Sequence, residues 1–82
     1  MDECLESIFE VLQEIERDID VPKNVRARIK EATQALIEGE KSLALRIDKS
    51  LQKLDEVSTD PNVPMHARMQ IWNVVSTLES IQ

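Results

Sequence analysis

Apolar residues recur at steps of three and four along almost the whole chain, in four stretches separated by short breaks. In the first stretch Leu5, Ile8, Phe9, Leu12, Ile15 and Ile19 share one side of a 3.6-residue period, with Glu3, Glu6, Glu10, Gln13, Glu14 and Arg17 opposite. That is an amphipathic helix, with Asp2 placed to cap it and acids in its first turn suited to the helix dipole. Val21-Pro22 ends it and opens the next, with Pro22 at the first helical position. The second stripe is Val25, Ile29, Ala32 and Leu36, and Gly39 is its natural stop. A third helix from about Ser42 carries Leu43, Ile47, Leu51, Leu54 and Val57 to a turn at Asp60-Pro61-Asn62. The fourth starts at Pro64 and aligns Ala67, Ile71, Val74, Leu78 and Ile81. Connections this short set consecutive helices antiparallel, so the pattern predicts an all-α, four-helix up-and-down bundle in a single domain, residues 1–82.

A shift of 42 residues superimposes the two halves. Leu12, Glu14, Asp18, Val21, Pro22, Arg26, Ile29 and Leu36 meet Leu54, Glu56, Asp60, Val63, Pro64, Arg68, Ile71 and Leu78, eight identities in forty positions with the apolar stripes in register. The shared core reads Asp-x-x-Val-Pro-x-x-x-Arg-x-x-Ile. The chain is therefore read as two copies of one helical hairpin, residues 1–39 and 43–82. Two copies are too few for a solenoid, and a closed bundle is the expected arrangement.

Composition narrows the function. A chain of 82 residues has a thin stability margin and little room for a deep cavity beside its core. The net charge is −6, all of it in residues 1–40, which hold eleven acids against five bases; residues 41–82 hold five of each. An acidic molecule repels the phosphate backbone, which disfavours broad nucleic-acid binding. Cys4 is alone, so no internal disulfide can form. No signal-like start and no apolar run of membrane-spanning length is present, and a cytoplasmic location is expected, with no membrane partner.

Few residues suggest chemistry. Arg26 and Arg68 occupy equivalent places one turn into helices two and four, where each could pair with a carboxylate of its own corner (Asp18 or Asp20, and Asp60) or receive an anion at the helix start. Lys23, Arg26, Arg28 and Lys30 form a basic patch, the single feature favouring nucleic acid, although such clusters commonly pair with neighbouring acids. Met65, Met69 and Trp72, joined by Val75, give helix four a second apolar stripe that either edges the core or forms an interface, where Trp and Met are enriched. His66 is the sole histidine and would have to recruit carboxylates such as Asp60 or Glu79 to hold a metal; no ligand spacing supports that. Cys4 among acids reads as a buried, unreactive thiol. The helix-one glutamates look like those of di-metal carboxylate bundles, but one histidine cannot supply two Glu-x-x-His motifs. No glycine-rich loop or nucleophile elbow is present, so no catalytic residue, metal or cofactor is assigned.

Two stretches, DIDVPKNVR from Asp18 and DPNVPMHARMQIWNVVSTL from Asp60, together with the length and the four-helix pattern, resemble an archaeal family of short, uncharacterised proteins. The resemblance spans almost the whole chain and is most specific in the run VP-x-HAR-x-x-IWN. It implies a small all-helical bundle in an archaeal cell and carries no activity, ligand or catalytic residue with it. The expected function is a small interaction module, self-associating as a homodimer or binding another protein through Met65, Met69, Trp72 and Val75. The alternative is a nucleic-acid-associated adaptor using the basic start of helix two. An enzyme is the least supported class.

Overall fold

The computed structural model describes residues 3–81, with side chains from residue 5 onward. Asp2 as a cap and Cys4 as a buried thiol therefore lie outside the described residues. Four helices follow one another: α1 (Glu3–Arg17), α2 (Lys23–Ile37), α3 (Leu43–Ser58) and α4 (Met65–Ile81). Each packs against its two ring neighbours, α4 returning to α1, while α1 and α3, and α2 and α4, make no close backbone approach. This is a closed up-and-down bundle measuring 32 × 20 × 19 Å.

The core is the set of stripes meeting at the axis. Ile8, Leu12 and Ile15 of α1 face Val25, Ile29, Ala32 and Leu36 of α2, Ile47, Leu54 and Val57 of α3, and Ala67, Ile71, Val74 and Leu78 of α4. Val21 and Val63 close it at one end. One polar residue, Ser50, sits fully buried among them, its hydroxyl without a partner.

The two hairpins turn their corners bond for bond. The Asp18 amide donates to the Ile15 carbonyl (3.1 Å), the Val21 amide to the Asp18 carbonyl (3.2 Å) and the Arg26 amide to the Pro22 carbonyl (3.0 Å). Asp60 to Val57, Val63 to Asp60 and Arg68 to Pro64 repeat these at 3.1, 3.3 and 3.0 Å. The Asp18 carboxylate accepts the Asp20 amide at 2.9 Å, and the Asp60 carboxylate accepts the Asn62 amide at 2.8 Å. Contacts between the hairpins repeat as well. Arg28 pairs with Glu56, and its counterpart under the 42-residue shift, Gln70, donates to Glu14 at 3.1 Å.

Several details depart from the pattern. Ile19 belongs to no stripe: α1 ends at Arg17, and Ile19 sits at the tip of the corner, 89% exposed. The Asp18 side chain closes the turn there, and Val21 takes the inward position that Ile19 would have had on a longer helix. Leu43, the first residue of α3, stays exposed, and Leu51 and Ile81 are half-buried at the core edge. Pro22 is the residue before the helix rather than its first, and Pro64 stands in the same relation to α4. Gly39 stops α2 without a left-handed turn, since no described residue has positive φ; α2 leaves through an extended Glu38 instead.

Candidate functional site

At the start of each of the last three helices an arginine follows the corner by one turn. Arg46, one turn into α3, donates from Nη1 to the Leu36 carbonyl at the end of α2 (3.1 Å). Arg68 donates from Nη1 to the Ser58 carbonyl at the end of α3 (2.7 Å), and from Nη2 to the carbonyls of Asp60 (2.8 Å) and Val63 (3.4 Å). At Leu36 and Ser58 these guanidiniums satisfy carbonyls of the kind that every helix end leaves without an intrahelical partner. Neither Arg26 nor Arg68 forms an ion pair among the described residues, and the Arg26 Nε is buried without a hydrogen-bond partner. The carboxylate pairing expected for Arg68 is thus replaced by backbone carbonyls, because the corner folds its own main chain under the guanidinium.

Of the basic residues of α2, Lys23, Arg26 and Lys30 share one side of the helix at i, i+3 and i+7, and Arg28 lies on another. Lys23, Arg28 and Lys30 are exposed and Arg26 is half-buried in the corner. Arg28 is engaged by Glu56 of α3. Lys30 lines a shallow groove between α1 and α2 with Gln13, Glu16, Arg17, Thr33 and Gln34. Of the four, Arg28 is thus paired with an acid, and Lys30 shares its groove with Glu16.

The second stripe of α4 lies on the surface. Met65, Met69 and Trp72 are 63%, 59% and 52% exposed, and Val75 is half-buried against the core. Trp72, Val75 and Glu79 of α4 line a groove with α3, which contributes Leu51, Asp48 and Asp55 among others. Between Arg68 and Glu79 the helix carries no charged residue at all.

A third grouping was not legible in the sequence. The first turn of α4 brings His66 against the α1–α2 corner, its Nε2–H donating to the Asp18 carboxylate at 2.7 Å. Asp20 completes the group: one ligand atom from each of Asp18, Asp20 and His66 falls within 4.8 Å of the others. The hydrogen bond from His66, then that from the Asp20 amide, holds the Asp18 carboxyl below its ordinary pKa, with Arg26 adding a smaller attraction. Asp60 and Glu79 are not its partners, since bundle closure sets the start of α4 beside the other hairpin's corner.

No helix among the described residues is long and apolar enough to cross a membrane. Comparison with known proteins places this architecture among relatives of its own kind. The model of an uncharacterised protein family, UPF0147, matches residues 1–81. UPF0147 proteins of the archaea Methanocaldococcus jannaschii and Pyrococcus horikoshii are 42% and 40% identical to the chain. The alignments cover 99% and 100% of this chain and 87% and 89% of theirs. A crystal structure of a UPF0147 protein from Thermoplasma acidophilum superposes with a TM-score of 0.91 at 37% identity, covering 96% of this chain and 93% of that one. A crystal structure of a protein of unknown function superposes with a TM-score of 0.93 at 44% identity, over 98% of this chain and 91% of that one.

Proposed function

The chain belongs to the uncharacterised protein family UPF0147, and from that premise we propose that it is a small, non-catalytic interaction protein of the cytoplasm that self-associates through the outer face of α4. The observation that carries this reading is the exposure of Met65, Met69 and Trp72 at i, i+4 and i+7 on a helix with no charge between Arg68 and Glu79. Aromatic and methionine side chains with charge depletion mark the centre of protein interfaces. A second copy is the occupant this face suits. Two molecules of charge −6 repel each other, and they do so least where neither presents charge. An antiparallel α4–α4 pairing about a two-fold axis brings the uncharged stretches together and leaves Asp48, Asp55 and Glu79 at the rim, in water.

Sedimentation equilibrium over a concentration series tests this. The expected result is a concentration-dependent dimer for the native chain and a monomer for Trp72→Glu and for Met69→Lys, each retaining native helical circular dichroism. A native chain that stays monomeric throughout the series overturns the reading. So does a dimer that survives in folded Met69→Lys and Trp72→Glu. Two variants are used because Trp72 covers part of the α3–α4 groove, and its loss alone could unfold the chain.

A further inference from the structure

We propose that Asp18, Asp20 and His66 form a binding site for one divalent transition-metal ion of the zinc class, which ties the α1–α2 corner to the first turn of α4. The ligand set is one imidazole and two carboxylates, a combination that suits zinc and its first-row neighbours and leaves positions for water. Bonds of about 2.1 Å place neighbouring ligand atoms roughly 3.0–3.4 Å apart on a single ion. His66 Nε2 and Asp18 Oδ2 are 2.7 Å apart, and all three donors lie within 4.8 Å of one another, so shifts of under about 1 Å bring them onto one ion. The Asp18 carboxylate is already oriented, because its other oxygen accepts the Asp20 amide, much as a supporting hydrogen bond fixes a metal ligand. His66 is more than half exposed, so an ion can reach it from solvent. Arg26 opposes the ion, but its single charge is outweighed by the two carboxylates.

The molecule supplies its own comparison. Under the 42-residue shift Asp18, Asp20 and His66 correspond to Asp60, Asn62 and Asn24. Asn24 and Asp60 line one small pocket at the second corner, so that end repeats the juxtaposition with ligand-poor residues. The second corner makes the same turn with the same backbone and carboxylate hydrogen bonds. The fold therefore requires the aspartate that closes each turn. It does not require a carboxylate at position 20 or an imidazole at position 66. Those two residues are the additions that convert a turn into a chelating group, and they occur together at one corner only.

The same comparison provides variants that the fold tolerates, His66→Asn and Asp20→Asn, each installing the side chain that the other corner already carries. Zn2+ is titrated by calorimetry into full-length chain freed of metal with a chelator, alongside Mg2+. The sole histidine gives a single imidazole signal to follow by NMR. The expected result is one Zn2+ per chain, a shifted His66 signal, a raised melting temperature, and no comparable response to Mg2+. Each variant should bind at least about 10-fold more weakly, since losing even a supporting residue of a metal site costs 10–100-fold. Three results overturn the proposal: no Zn2+ uptake by the native chain, uptake that leaves the His66 signal unmoved, or affinity unchanged in folded His66→Asn. The first would mean that the Asp18–His66 contact is a hydrogen bond and nothing more. The others would place the ion elsewhere, for instance at Cys4.

Discussion

The arginines that follow the corners show how one residue type can serve a fold without pairing with an acid. The Arg68 guanidinium is a rigid fork of donors, and it spends them on three main-chain carbonyls at the end of α3 and along the corner. One hydrogen bond to a charged group contributes about 1.5–3 kcal/mol net. At this half-buried corner the Asp60 carbonyl also holds the Val63 amide, and water and the main chain replace the remaining contacts when the guanidinium is lost. Arg68→Ala should therefore lower stability by about 2–3 kcal/mol in urea denaturation. Arg68→Lys should recover only part of it, because an ammonium cannot span three carbonyls. Full recovery by lysine would mean that charge alone matters at this corner. Arg26 and Arg68 stand out in the repeat, but their partners do not, since a carbonyl acceptor leaves no mark on the sequence. Arg46 lies outside the repeat because the 42-residue shift sets it against Cys4. Its signal is a different spacing: Asp18 to Arg26, Glu38 to Arg46 and Asp60 to Arg68 are each eight residues apart.

Among the elements, the helix bodies follow their apolar spacing and the helix ends follow local chemistry. Ser42 caps α3 by accepting the Leu45 amide, as its residue type suggests. Gly39 is the instructive exception. A glycine after a helix usually signals a left-handed residue, yet here φ is ordinary and an added Cβ would meet nothing within 4 Å. The α2 end is satisfied by Arg46, which reaches the Leu36 carbonyl from the next helix. With no conformational need for glycine, Gly39→Ala should raise stability by about 0.4–1 kcal/mol by narrowing the unfolded ensemble. A rise in the denaturation midpoint without a change in m-value is the expected result. A destabilised variant would mean that position 39 does visit positive φ. Ile19 fails as a stripe residue for a related reason: periodicity continues past a helix end on paper, whereas a side-chain turn at Asp18 stops it in space.

For the molecule as a whole, the governing feature is the approximate two-fold relation between the hairpins. It pairs Arg28–Glu56 with Gln70–Glu14 across the seams, and Asp18–His66 with the Asp60 and Asn24 corner. Ile29 and Ile71 are equivalent positions, both with no exposed surface. Ile29→Val and Ile71→Val should each cost about 0.5–1.5 kcal/mol and agree closely with one another. Both should unfold in a single transition by circular dichroism and Trp72 fluorescence, as expected of a small domain with one shared core. Noncoincident transitions would show that the hairpins are energetically separate.

The number of helices, their order, most of the core and the likeness of the two halves were legible in the sequence, whereas the exposure of Ile19 and Leu43 and the burial of Val21, Val63 and Ser50 were not. The legible features follow from local periodicity and turn chemistry, which act over a few residues and are written in the order of the chain. The sequence also marked Met65, Met69 and Trp72 as surplus to the stripe of α4, and the structure puts them on the surface. Which distant side chains meet depends on how the helices close into a bundle. Asp18 and His66 stand 48 residues apart, and they touch because bundle closure sets the start of one hairpin's second helix on the corner of the other. The choice between carboxylate and carbonyl partners for the corner arginines was decided in the same way, by where the backbone runs once the helices have packed.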